Sequence, residues 1–211
     1  MISKLQFITH QTQRFTYFQS AEIALKAGCK WIQLRMKETS DEEFIKVGHN
    51  IHIMCKYYGA KLILDDRVHL VHKLSAAGVH LGKNDMPIKE ARQMLSDDKI
   101  IIGGTANTFD DITNLVQQGF DYIGCGPFRY TKTKANLAPI IGFKGYTTIL
   151  NKKRQNNITT PIIAIGGITI NDIDSLLTIG LDGIAVSSTV LSAENPINEM
   201  KKLLKLIKHY E

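Results

Sequence analysis

Residues 161–188 read PIIAIGGITINDIDSLLTIGLDGIAVSS, and their pattern decides the fold. An almost wholly apolar run, Pro161 to Ile165, ends in Gly166-Gly167. A segment with helical spacing follows, Ile170 to Ile179, closed by Gly180. A second apolar run, Gly183 to Val186, then ends in Ser187-Ser188. Apolar strands that show no polar alternation are buried on both faces, the signature of parallel strands covered by helices. The same unit recurs along the chain. The runs KLQFITH, KWIQLRM, KLILDD, GVHLG, KIIIGGTA and DYIGCG precede it, which makes eight strands in all. Between them lie helical stretches such as YFQSAEIALKAGC, SDEEFIKVGHNIHIMCKYYG, IKEARQMLSDD and TFDDITNLVQQGF. Gly28, Gly59, Gly119 and Gly180 suit left-handed helix ends, and Ser40, Thr108 and Asn171 stand where helices start. Eight strand–helix units in 211 residues predict an α/β fold, a (β/α)8 TIM barrel in a single domain over 1–211. The open doubly wound sheet shares this alternation but calls for a Gly-x-Gly-x-x-Gly loop after the first strand, which is absent.

Composition agrees. Hydrophobic residues make up 44% and charged residues 22% of the chain, which excludes a disordered polymer. No apolar run approaches the length of a membrane span, and the start, MISKLQFITHQTQRF, has no signal-peptide pattern. A cytoplasmic protein with no membrane partner is expected. The net charge of +6 is mild and suits anionic small molecules. No aromatics interleave with Lys or Arg as a nucleic-acid platform would require. The basic MKKLLKLIKHYE end reads as a terminal helix that packs Leu203, Leu204, Leu206 and Ile207 on the core. Three scattered cysteines, Cys29, Cys55 and Cys125, have neither metal nor disulfide spacing.

In such a barrel the chemistry sits at the C-terminal ends of the strands. Strand two ends in Gln33, Arg35 and Lys37, whose i, i+2, i+4 spacing points all three to one side. Strand three ends in Asp65-Asp66, and strand four leads through His80 to Lys83-Asn84-Asp85. Strand five supplies Thr105-Ala106-Asn107. Strand six runs into Gly124-Cys125-Gly126-Pro127 and then Thr131-Lys132-Thr133-Lys134, part of a long connection, 127–146, that reads as a loop. Strands seven and eight end in Gly166-Gly167 and Ser187-Ser188.

Taken singly, most of these have plain structural readings: a solvated Arg-x-Lys pair, an Asp turn, a Gly-Gly turn, a hydrogen-bonded core His80. Taken together they suit phosphates. Arg35, Lys37 and Lys134 supply positive charge from three directions. Asp66 and Asp85 are hard oxygen ligands of the kind that hold Mg2+ beside substrate phosphate oxygens. The loops after strands seven and eight are where barrels often bind a phosphate. Two phosphate sites are expected, one with a metal and one without.

These motifs, in this order and over essentially the whole chain, resemble the thiamine phosphate synthase family, also called thiamine-phosphate pyrophosphorylase. The resemblance rests on Gln33-Leu-Arg-Met-Lys37, Asp65-Asp66, Val79-His-Leu-Gly-Lys-Asn-Asp85, Gly104-Thr105 and Gly124-Cys-Gly-Pro127 with Thr131-Lys-Thr-Lys134. It continues through Ala164-Ile-Gly-Gly-Ile168 and Gly183-Ile-Ala-Val-Ser-Ser188. It implies a Mg2+-dependent transferase. Such an enzyme joins 4-amino-2-methyl-5-hydroxymethylpyrimidine diphosphate to 4-methyl-5-(2-phosphoethyl)thiazole and releases pyrophosphate.

By resemblance, Gln33 contacts the pyrimidine, and Arg35, Lys37 and Lys134 grip its diphosphate with Asp65 and Thr105 nearby. Asp66 and Asp85 hold the metal, while Thr131, Thr133, Gly166, Gly167, Ser187 and Ser188 bind the thiazole phosphate. Arg35, Lys37, Thr105 and Lys134 form the catalytic set. Three departures from the family pattern stand out: Asp65 in place of Asn, Lys83 in place of Gln, and Thr105-Ala106-Asn107 in place of Ser-Ala-His. Two other readings stay open, a thiazole tautomerase-like isomerase and a non-catalytic thiazole phosphate-binding regulator. Asn107 and the intact Thr-x-Thr-Lys loop speak against the first, and Asp66, Asp85, Arg35 and Lys134 against the second. The sequence leaves assembly into a homo-oligomer open.

Overall fold

A computed structural model describes residues 3–131 and 138–210. Eight parallel strands close into a barrel in sequence order: β1 Leu5–Ile8, β2 Trp31–Leu34, β3 Lys61–Asp65, β4 Gly78–Leu81, β5 Ile101–Ala106, β6 Tyr122–Cys125, β7 Ile162–Ile165 and β8 Gly183–Val186. β1 pairs with β8 through Leu5 opposite Ile184 and Phe7 opposite Val186, which shuts the ring. The outer layer consists of α1 Tyr17–Ala27, α2 Asp41–Tyr58, α3 Ile88–Leu95, α4 Phe109–Gln118, α5 Gly142–Gln155, α6 Ile173–Thr178, α7 Ser188–Leu191 and α8 Pro196–Ile207.

The helix boundaries follow local chemistry. Thr16, Ser40 and Thr108 each accept a hydrogen bond from a first-turn N–H, and Gly28, Gly59 and Gly119 close α1, α2 and α4 in the left-handed conformation. Three expectations need correction. Asn171 is not a cap; Thr169 caps that turn reciprocally with Asp172, because only Thr169 lies outside the 310 turn Ile170–Asp172. No α-helix joins β3 to β4, where a 310 turn, Val68–Leu70, suffices to cover the strands. The stretch 142–146, read as loop, belongs to α5, because burial of Tyr146, Ile149 and Leu150 outweighs the poor helix propensity of Gly142 and Gly145. The C-terminal helix does as expected: Met200, Leu203 and Ile207 are buried, with Leu204 and Leu206 packed alongside.

Two cores result. The larger lies between the strands and the helices. The smaller fills the barrel, where Ile8, Trp31, Ile63, Tyr122, Ile163 and Ala185 pack together. Trp31 and Tyr122 meet edge to face, 4.9 Å between ring centroids. Gly103 makes room for this plug, since a Cβ there would lie 2.1 Å from the Tyr122 ring. This plug fills the lower interior, and open space lies above it at the C-terminal ends of the strands. The three cysteines are unpaired and buried, and burial pushes the Cys29 thiol up to about 11 and Cys55 and Cys125 to about 12. Among the described residues no helix is long and apolar enough to cross a membrane.

Candidate active site

A cavity of about 470 Å3 opens at that upper end. Its wall includes Gln33, Arg35, Lys37, Asp65, Asp85, Thr105, Thr131, Gly166, Gly167, Ser187 and Ser188, all expected from the sequence. Asp66 does not line it. Thr133 and Lys134 lie outside the described residues.

The half of the mouth above β2 to β4 is built from charge. Gln33 Nε2 donates to Asp65 Oδ1 at 2.7 Å, Lys37 Nζ lies 3.0 Å from Asp65 Oδ2, and Arg35 Nε lies 3.8 Å from the same oxygen. The three residues expected to point one way therefore converge on Asp65, although β2 itself ends at Leu34. Lys37 also pairs with Asp66, and Asp66 with Arg67. Burial works against the Lys37 charge, but the two carboxylates outweigh it and hold its pKa above the ordinary lysine value. Asp66 itself has φ 59°, a conformation that Asp and Asn tolerate better than most residues.

Across β4, Asp85 accepts from the Gly82 N–H at 2.6 Å. Lys83 is committed to Asp111 at 2.6 Å, so its charge is spent on α4 and not on Asp65. Asp66 and Asp85 offer hard carboxylate oxygens. Among the described residues no group of three or more acidic, His or Cys side chains could hold a metal, so these two would bind one only together with substrate oxygens. Their donor chemistry is the kind that suits Mg2+, but Asp66, outside the cavity wall, would have to exchange its pairing with Lys37 and Arg67 to reach one.

The floor is a hydrogen-bonded chain. His80 Nε2 lies 2.9 Å from Thr105 Oγ1, its Nδ1 lies 3.1 Å from the Tyr122 hydroxyl, and Gln6 Nε2 donates to that hydroxyl at 3.3 Å. His80 is thus the core histidine that the sequence suggested, and it also sets the Thr105 hydroxyl. Asn107 is tied down, its side-chain amide on the Gly126 carbonyl and its N–H on Asp111 at 2.8 Å.

The half above β6 to β8 is built from backbone. Gly166 and Gly167 have φ of 94° and 69°, which a side chain would strain. The N–H groups of Gly167, Ile168 and Ser187 donate to no partner among the described residues, and Ser187 Oγ is buried without one. A buried hydroxyl without a partner costs stability, and with unpartnered N–H groups on the same cavity wall it marks a place where a ligand completes them. Such donors suit a phosphate.

Among the wall residues that the sequence did not point to are Thr9 and His10 at the end of β1. Thr9 Oγ1 accepts the Arg35 N–H at 3.0 Å, and burial followed by the Arg35 charge lowers the His10 pKa below the ordinary histidine value. Both residues follow the C-terminal end of a strand, the same signal that marks the other wall residues.

Known proteins match this arrangement. Residues 5–190 match the family model described as Thiamine monophosphate synthase. A Thiamine-phosphate synthase of Bacteroides thetaiotaomicron is 54% identical over 202 residues, which is 96% of each chain. One from Methanococcus maripaludis is 34% identical, over 90% of this chain and 88% of its own. Among solved structures, a thiamine phosphate pyrophosphorylase from Pyrococcus furiosus superposes with a TM-score of 0.85 at 30% identity, covering 98% of this chain and 96% of that one. A 3-hexulose-6-phosphate synthase, at 15% identity and a TM-score of 0.69, shares the fold alone. By the extent of the family match and the identity to these relatives, the chain belongs to the thiamine monophosphate synthase family.

Proposed function

We propose that the barrel mouth joins 4-amino-2-methyl-5-hydroxymethylpyrimidine diphosphate to 4-methyl-5-(2-phosphoethyl)thiazole, giving thiamine monophosphate and pyrophosphate. The observation that carries this reading is the pairing, in one cavity, of a cation–carboxylate cluster with a set of unpartnered neutral donors. One half suits a metal-bound diphosphate, the other a phosphate handle.

The bond from the exocyclic carbon of the pyrimidine to the diphosphate oxygen breaks, and its electron pair leaves with the pyrophosphate. The aminopyrimidine spreads the positive charge left on that carbon, and the thiazole nitrogen supplies the pair for the new C–N bond. Lys37 and Arg35 stabilise the charge that develops on the leaving group. Gln33, fixed by Asp65, orients the pyrimidine, and the His80-held Thr105 hydroxyl faces the diphosphate. Gly166, Gly167, Ser187, Ser188 and Thr131 hold the thiazole phosphate, which aligns the nitrogen with the carbon. Asp66 and Asp85 would hold Mg2+, which when bound supplies further charge neutralisation to the leaving group. Lys134 and Thr133 take their roles from the resemblance alone.

No protein nucleophile or strong base is required. Asn107 has no acid–base proton to exchange at neutral pH, which disfavours the isomerase reading. A regulator that binds only thiazole phosphate has no use for the charged half.

The test is direct. Purified protein is mixed with both substrates and Mg2+, and thiamine monophosphate is followed after oxidation to fluorescent thiochrome. Product that depends on the metal is expected. No product, with thiazole phosphate still bound, would contradict the synthase reading.

A further inference from the structure

Arg129 takes no part in the reaction as written, and its side chain is half exposed outside the cavity. Its contacts are nonetheless specific. The guanidinium lies over the Phe128 ring at 4.7 Å, donates through Nη1 to the Gly167 carbonyl at 2.8 Å, and forks onto the two Asp172 oxygens at 2.7 and 2.8 Å. Its backbone N–H donates to the Gly166 carbonyl at 2.9 Å. One residue therefore holds two successive carbonyls of the turn after β7.

In a planar trans peptide the N–H of the next residue points opposite to the carbonyl. Drawing the Gly166 carbonyl toward Arg129 turns the Gly167 N–H the other way, and drawing the Gly167 carbonyl turns the Ile168 N–H likewise. Neither of these N–H groups has a partner among the described residues, and both residues line the cavity. The flanking groups are spoken for. The Ile168 carbonyl accepts from Thr189 Oγ1, and the Thr169 N–H donates to Asp172 at 2.8 Å. The packing leaves no slack, since a Cβ on Gly167 would lie 2.8 Å from the Tyr130 carbonyl and 3.1 Å from Arg129 Cβ.

We propose that Arg129, held by Asp172, is a positioning residue that sets the Gly166–Gly167 and Gly167–Ile168 peptide planes so that their N–H groups face the phosphate of the second substrate. The inference rests on the thiazole phosphate site proposed above. The pair stays charged across the working pH range, because hydrogen bonding to Arg129 holds the Asp172 carboxyl at about 2. Neither residue touches substrate, so their effect is expected in binding and not in the chemical step.

The test uses the full chain with Arg129→Gln, Arg129→Lys and Asp172→Asn. Arg129→Lys keeps the charge but loses the fork, which guards against a variant that fails to fold. KM for each substrate and kcat are measured, with calorimetric binding of thiazole phosphate and competition by inorganic phosphate. Each variant is expected to raise KM for thiazole phosphate about 10-fold, the scale of a weakened charge-assisted hydrogen bond, with kcat at saturation and KM for the pyrimidine diphosphate unchanged. A rise in both KM values together with a fall in kcat would mean a general structural role and overturn the proposal. Wild-type protein that binds thiazole phosphate, with variants that bind it equally well, would overturn the positioning role alone. Wild-type protein that binds neither thiazole phosphate nor inorganic phosphate would remove the phosphate site and this inference with it.

Discussion

The two halves of the barrel mouth are built by different means. Above β2 to β4 the tools are charged side chains, and in the absence of substrate they neutralise one another: Lys37 sits on Asp65 and Asp66, and Arg67 on Asp66. Above β6 to β8 the tools are backbone N–H groups, turned inward by contacts made from outside. On the proposed reading, the first half exchanges partners when a diphosphate binds. The second is finished before its ligand comes. Preorganised donors need no rearrangement during reaction, which suits a handle whose task is alignment. Exchangeable ion pairs suit a leaving group that has to be released.

The largest expected effect probes the charged half. Asp66→Asn and Asp85→Asn keep side-chain shape, and Asn also tolerates the φ of 59° at position 66. Each is expected to lower turnover about 100-fold or more, the scale of lost charge stabilisation in a closed site. Steady-state rates at saturating Mg2+ check this, and near-normal rates would remove the metal assignment.

A smaller effect probes the backbone half. The Asp172 carboxyl is lowered from the usual carboxylate value to about 2 by its hydrogen bonds to Arg129, against burial, with Thr169 adding to the lowering. A depressed folded-state pKa contributes stability above the unfolded value near 3.8, and that contribution is lost as the pH falls toward 2. Screening of the half-exposed guanidinium limits it to about 1 kcal/mol. Thermal melts of wild type and Asp172→Asn should therefore differ by about 2–4 °C at pH 6 and converge only below about pH 2. A constant gap would detach the pair from the stability of this half.

The smallest effect concerns Asp65, where the family pattern has Asn. Asn would still accept from Gln33 through its amide oxygen while releasing Lys37 from one partner. Turnover of Asp65→Asn is expected to stay within about 3-fold of wild type, less than 1 kcal/mol, with KM for the pyrimidine diphosphate lowered. A raised KM would give Asp65 a role of its own.

The same division explains what the sequence made legible. All eight strands could be read because nearly every residue in them is buried and apolar. The charged half could be read because Arg35, Lys37, Asp65 and Asp85 are conspicuous at strand ends. The backbone half was legible only as glycines and serines, since the orientation of a peptide plane leaves no trace in residue type. Arg129 and Asp172 are 43 positions apart and neither belongs to a motif, so nothing in the chain announces their pairing. The start of α5 was hidden by Gly142 and Gly145, whose local preference packing overrides. Lys83 stands out in the sequence only as a departure from the family pattern, and the fold places Asp111 within its reach.

The claim that one cavity holds two separately built anion sites is tested most directly by crossed kinetics. Both KM values would be measured in Lys37→Ala and in Gly167→Ala, one change in each half. Lys37→Ala is expected to raise KM for the pyrimidine diphosphate about 10-fold and leave the thiazole phosphate value alone, as loss of a charge-assisted contact would. Gly167→Ala, strained at φ 69° and crowded against Tyr130, is expected to do the reverse. If each variant raised both values equally, the mouth would be a single anion site, and the division drawn here would be wrong.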